Sequence, residues 1–104
     1  MRILIASKTL EITKAMRDFA NEQALKLDKF GQRISKVQVF LERRVAKSKR
    51  DRNALVKYVV SLPGKTLVIK CKAADLYDAI IDATNKVMRQ TRKFKEKRLT
   101  KQRQ

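Results

Sequence analysis

Residues 34–46, 55–62 and 66–73 each alternate inward and outward side chains with a period of two, and this leaves few folds open to the chain. Val37, Val39 and Leu41 oppose Gln38, Phe40 and Glu42 in a strand expected over residues 34–46. Over residues 55–62, Val56, Tyr58, Val60 and Leu62 share one face, with Lys57 and Ser61 on the other. Pro63-Gly64 then supplies the fixed φ and the φ > 0 position of a tight turn. In residues 66–73, Leu67, Ile69 and Cys71 point inward while Val68, Lys70 and Lys72 point outward. Links this short join antiparallel neighbours, so the segment reads as a three-stranded meander.

Helical spacing brackets the meander. Ile12, Ala15, Met16, Phe19, Ala20, Ala24, Leu27 and Phe30 recur at i, i+3, i+4 and i+7, which predicts a helix over residues 12–30, opened near Thr13 and closed by Gly31 in the C′ role. Its outer face, with Lys14, Arg17, Asp18, Glu22, Lys26, Asp28 and Lys29, is nearly charge-balanced and reads as solvated. Asp75 is placed to cap a second helix carrying Leu76, Tyr77, Ile80, Ala83, Thr84, Val87, Met88, Thr91 and Phe94 in register. Ile3 and Ile5 mark a first strand over residues 2–7. The order is βαβββα. A right-handed crossover makes the first two strands parallel, and both helices cover one face of a four-stranded mixed sheet. This α+β fold resembles a double-stranded RNA-binding domain. We expect one domain over residues 1–95 and a flexible basic tail over 96–104.

Charge decides the class of partner. The net +17 is concentrated in residues 43–52, with six basic and one acidic residue, and residues 86–104, with nine and one. Solubility needs a net charge of only about 2 to 8, so clustering on this scale points to a polyanion, with nucleic acid the leading candidate. Acids Asp75, Asp78 and Asp82 precede Lys86, Arg89, Arg92, Lys93, Lys95 and Lys97 on the second helix. The helix dipole favours that polarity but is satisfied by one or two cations in the last turn, so the macrodipole explains only part of the run. Residues 47–52 contain no apolar side chain and read as an exposed, mobile hairpin loop. Phe40 stands among Arg44, Lys57, Lys70 and Lys72 on the uncovered sheet face, where sheet-surface RNA binders use two or three aromatics; base stacking is the lesser reading.

Enzyme chemistry finds little support. The chain has no histidine, the commonest general base near neutral pH and the commonest metal ligand. Its single cysteine, Cys71, reads as a small core residue and permits no internal disulfide. Two glycines make no phosphate-cradling loop. The aspartates at 75, 78 and 82 share a helical face, but capping and solvation explain them more simply than a cation. No metal, cofactor, small-molecule substrate or membrane partner is expected. Without a cleavable signal pattern or an apolar run of bilayer length, the expected location is cytoplasmic.

The runs I-T-K-A-M-R-D-F at 12–19, K-L-D-K-F at 26–30, D-L-Y-D-A-I-I-D at 75–82 and Q-T-R-K at 90–93 resemble the bacterial ribosome hibernation promoting factors and ribosome-associated inhibitors, in register over about residues 1–97. The resemblance implies a short-form, noncatalytic protein, monomeric off the ribosome. It would bind the small ribosomal subunit in the channel of messenger and transfer RNA, and so silence idle ribosomes in stationary phase or stress. Gln90, Arg92 and Lys93 match the family pattern. Lys86, Arg89, Lys95 and Lys97 join them as expected phosphate clamps, and Arg44, Lys47, Lys49, Arg50 and Arg52 form a second contact that rests on charge alone. The basic loop and basic tail depart from many relatives. A generic module for double-stranded or structured RNA, unconnected with the ribosome, is the alternative; a double-stranded RNA-binding domain would need basic residues where Asp75 and Asp78 stand. An interaction module or small enzyme with incidental charge is the remaining rival.

Overall fold

A computed structural model describes residues 1–9, 11–30, 34–43 and 53–103, without the side chains of 29, 30 and 94–103. The elements are β1 (Arg2–Ala6), α1 (Lys14–Leu25), a 3-10 helix (Lys26–Phe30), β2 (Lys36–Arg43), β3 (Ala54–Leu62), β4 (Lys65–Ala73) and α2 (Leu76–Arg103). The βαβββα order is as expected. β1 and β2 pair in parallel, while β2 with β3 and β3 with β4 are antiparallel, in spatial order β1-β2-β3-β4. At the β3–β4 hairpin, Leu62 pairs with Lys65 around Pro63-Gly64, and Gly64 sits at φ 72°. Nothing lies within 4 Å of a Cβ built there, so the turn demands glycine for its backbone rather than for space.

The first helix differs from its periodicity. Thr13 caps it, its Oγ1 accepting from the Met16 N–H at 3.1 Å, but α-helical geometry ends at Leu25. The Lys26 N–H bonds back to the carbonyls of Gln23 and Ala24, and the chain tightens into the 3-10 helix. This keeps Leu27 fully buried while closing the helix, as final turns commonly do. The expected cap at Gly31 lies outside the described residues. The second strand spans Lys36–Arg43 rather than 34–46; Ile34 is buried ahead of it, and residues 44–46 are not described. The backbone of α2 runs to Arg103, through the segment expected as a tail.

α2 lies against β3 and β4, and α1 against β1 and α2, so one sheet face is covered. The core combines Val37, Val39 and Leu41 with Val56, Tyr58 and Val60 from the sheet, and Ala20, Ala24, Leu27, Ile80, Ala83 and Val87 from the helices. Cys71 is a buried core member as expected. Phe19 meets Tyr77 edge to face at 5.0 Å, linking the two helices.

Polar groups that enter this core are partnered. The Thr84 Oγ1 donates to the Ile80 carbonyl at 2.7 Å, so the Tyr58 hydroxyl, 2.7 Å from it, is the donor to Thr84. Thr91 repeats the back-bond to Val87. Burial pushes the Tyr58 phenol up to about 12. An unfolded tyrosine ionises near 10, so this contribution to stability is complete below about pH 10 and is lost as pH rises toward 12. Tyr58→Phe should remove that alkaline component while costing about 1 kcal/mol at neutral pH. Urea denaturation at pH 7 and pH 11 checks both.

Candidate nucleic-acid interface

The buried stripe of α2 (Leu76, Ala79, Ile80, Ala83, Thr84, Val87, Thr91) fixes where its charges point. At about 100° per residue, Lys86, Arg89 and Lys93 share one flank, spaced i, i+3 and i+7, and all three are exposed. Asp82 precedes them on the same flank, so the stripe runs from acid to base along the helix. Arg92 is exposed about 100° around the helix from Lys93, toward the side of Ile81 and Met88, while Gln90 is exposed one turn beyond Lys86 at i+4, about 60° from Lys93 on the side nearer the buried stripe. The clamp expected from sequence therefore spreads around the helix, with Lys86, Arg89 and Lys93 as its coherent part. The side chains of Lys95 and Lys97 lie outside the described residues, as do Arg44, Lys47, Lys49, Arg50 and Arg52.

Helix length gives this stripe its reach. Twenty-eight residues span about 42 Å at 1.5 Å each, whereas the nine-residue strands beneath span about 30 Å. α2 is thus about 12 Å longer than the strands it packs on.

The structure also adds a lysine that local patterns missed. β4 is an edge strand, and between it and α2 runs a groove lined by Cys71, Lys72, Asp82, Asn85, Lys86 and Arg89. Lys72 thus joins Lys86 and Arg89, separated from them by 14 and 17 positions of sequence that only the strand-to-helix packing brings together. On the uncovered face, Phe40 pairs across the sheet with Lys57, whose Nζ lies 5.7 Å from the ring centroid, and Lys57 pairs in turn with Lys70. Glu42, the acid of this face, is engaged: its carboxylate accepts from the Lys8 N–H and the Thr9 hydroxyl, and Thr9 Oγ1 accepts from the Arg43 N–H. This ties the link after β1 to the end of β2. Asp75 is likewise used locally, its carboxylate accepting from the Tyr77 N–H at 2.7 Å as the cap of α2.

A mixed sheet backed by two helices, with Lys72, Lys86 and Arg89 lining a groove at its edge, presents a concentrated positive surface. The chain belongs to the family described as sigma 54 modulation protein / S30EA ribosomal protein, whose model matches residues 3–99. It is 33% identical over 100 residues to a ribosome hibernation promotion factor of Deinococcus radiodurans, covering 96% of this chain and 51% of that protein. The chain thus spans about half of that relative. Against the ribosome hibernation promoting factor of Klebsiella oxytoca, identity is 32% over 97 residues, covering 93% of this chain and 96% of the relative. The crystal structure of the Thermus thermophilus Protein Y N-terminal domain superposes with a TM-score of 0.72 at 30% identity, covering 90% of this chain and 99% of that one.

Proposed function

We propose that this protein is a ribosome hibernation factor. It binds the small ribosomal subunit through ribosomal RNA, lies in the channel of messenger and transfer RNA, and holds idle ribosomes inactive during stationary phase or stress. The observation that carries this reading is the exposed stripe Lys86, Arg89 and Lys93 on a helix longer than the strands beneath it, in a member of a family with hibernation factors among its relatives. Ribosomal RNA offers a dense phosphate surface, and a helix lined with cations can follow it without reading sequence.

The inhibition is steric. The chain's part is to occupy space that transfer RNA needs, with Lys86, Arg89, Arg92 and Lys93 as phosphate contacts and Gln90 as a hydrogen-bonding neighbour; no bond is made or broken. Lys95, Lys97 and the cationic residues Arg44, Lys47, Lys49, Arg50 and Arg52 extend the contact. The working site is the cytoplasm, with the chain monomeric when off the ribosome. A generic structured-RNA module fits the charge equally well, but the hibernation-factor relatives favour the ribosome.

Lysate from starved cells, sedimented on a sucrose gradient and probed for this protein, tests the reading. It should travel with small subunits and whole ribosomes and leave the ribosomal fractions as growth resumes. Confinement to the top of the gradient in starved cells would refute it.

A further inference from the structure

Two depressions adjoin across the free edge of the sheet, and Cys71 and Lys72 line both. One, of about 520 Å³, lies along the β3–β4 half of the sheet and is bounded by Glu42, Leu55, Lys57, Lys70 and Lys72; its size is that of clefts that hold a small ligand. The other is the groove against α2 that adds Asp82, Asn85, Lys86 and Arg89. We propose that together they form a track for a single-stranded RNA segment, which lays its phosphates along Lys70, Lys72, Lys86 and Arg89 and rests an unstacked base on the sheet beside Phe40 and Leu55. This rests on the RNA-binding reading above and adds the strandedness of the RNA and a contact surface within the sheet.

The charges there are placed against their own stability. Lys57 and Lys70 face each other directly across the β3–β4 ladder, an arrangement that is unfavourable between like charges. Two acids line the depressions: Glu42 is held by Lys8 and Thr9, and Asp82 stands one turn before Lys86 on α2. A string of phosphates relieves this repulsion and continues without a break onto the α2 stripe.

The same face is apolar enough to hold a base. Leu4 is 42% exposed and Val68 48% exposed, and they stand in one cross-strand row with Gln38 and Val59 between them. Phe40, partly exposed, belongs to the next row. Lys57 rests on the Phe40 ring; an exposed contact of that kind is weak, so the ammonium can move to a phosphate as a base takes its place. In a duplex the base faces are stacked on one another and inaccessible, which makes apolar surface among lysines a single-strand feature.

The test titrates a ten-nucleotide uridylate carrying a central 2-aminopurine, and a hairpin duplex of equal charge, with the full chain between 50 and 200 mM salt. The single strand should bind more tightly than the duplex. Replacing Lys57, Lys70 and Lys72 with Gln should weaken it about tenfold or more and reduce the log–log salt slope by roughly 2, at about 0.7 for each single-strand phosphate released. Phe40→Leu should abolish the 2-aminopurine signal change and leave the salt slope intact. Lys14→Gln with Arg17→Gln on α1 should change nothing, and circular dichroism verifies folding of each variant. Unaltered single-strand affinity in the triple variant, preference for the duplex, or displacement of the RNA by an equal concentration of a glutamate decamer would overturn the track. Small-subunit co-sedimentation of the wild-type chain, run alongside, separates the two ideas: if it persists while the track tests fail, only the track is wrong, and if it is absent, the ribosomal reading fails.

Discussion

Association with the small subunit falls by roughly a thousandfold or more between 50 and 200 mM salt if six or more phosphates are engaged, because each contact releases condensed counterions. The net charge of +17 and its clustering motivate this expectation. A surface that merely kept the chain soluble would make no such set of contacts, and its binding would be weak at every salt concentration. Filter binding or sedimentation across that range, plotted as log affinity against log salt, measures the number of phosphates engaged directly. A flat line would remove the electrostatic basis of the interface.

Replacing Arg89, Arg92, Lys93 and Lys95 with Gln should reduce small-subunit affinity by on the order of a hundredfold near 100 mM salt and lower the salt slope by about 3 to 4, at roughly 0.7 to 0.9 for each phosphate no longer neutralised. Folding should survive. Glutamine resembles lysine and arginine in helix propensity, Arg89, Arg92 and Lys93 are exposed, and removing four cations from one helix relieves repulsion between them. Circular dichroism and a urea midpoint separate loss of binding from loss of structure. The same replacement at Lys47, Lys49, Arg50 and Arg52 is the comparison and should cost less affinity, since that second contact rests on charge alone. A loop variant that loses more affinity than the helix variant would move the main contact from α2 to the β2–β3 connection.

Element order, pairing and core were legible in the sequence where one period dominated. Val37, Val39 and Leu41 fix which face of β2 is covered, and Pro63-Gly64 fixes the last hairpin, because both signals are local. The division of residues 12–30 into α1 and a 3-10 helix was not legible: Leu27 continues the apolar stripe equally well in either geometry, and the choice is made by packing against the core. At the interface, the α2 cations were visible as a run, but their separation into the flank of Lys86, Arg89 and Lys93 and the more distant Arg92 needed the buried face to be known. Lys72 escaped because no local pattern brings a strand residue beside Arg89. Its outward alternation with Cys71 was readable, and the edge position of β4 was the missing fact.

Steric inhibition requires this chain to occupy the transfer RNA path of the small subunit. Purified small subunits, loaded with labelled initiator transfer RNA and messenger RNA, are titrated with the protein at fixed low salt, and retained label is measured. Mutually exclusive occupancy is the expected result, with transfer RNA displaced in proportion to protein bound and the α2 variant unable to displace it at the same concentration. Simultaneous, non-competitive binding of both would place the protein at a peripheral site and contradict steric exclusion as the mechanism.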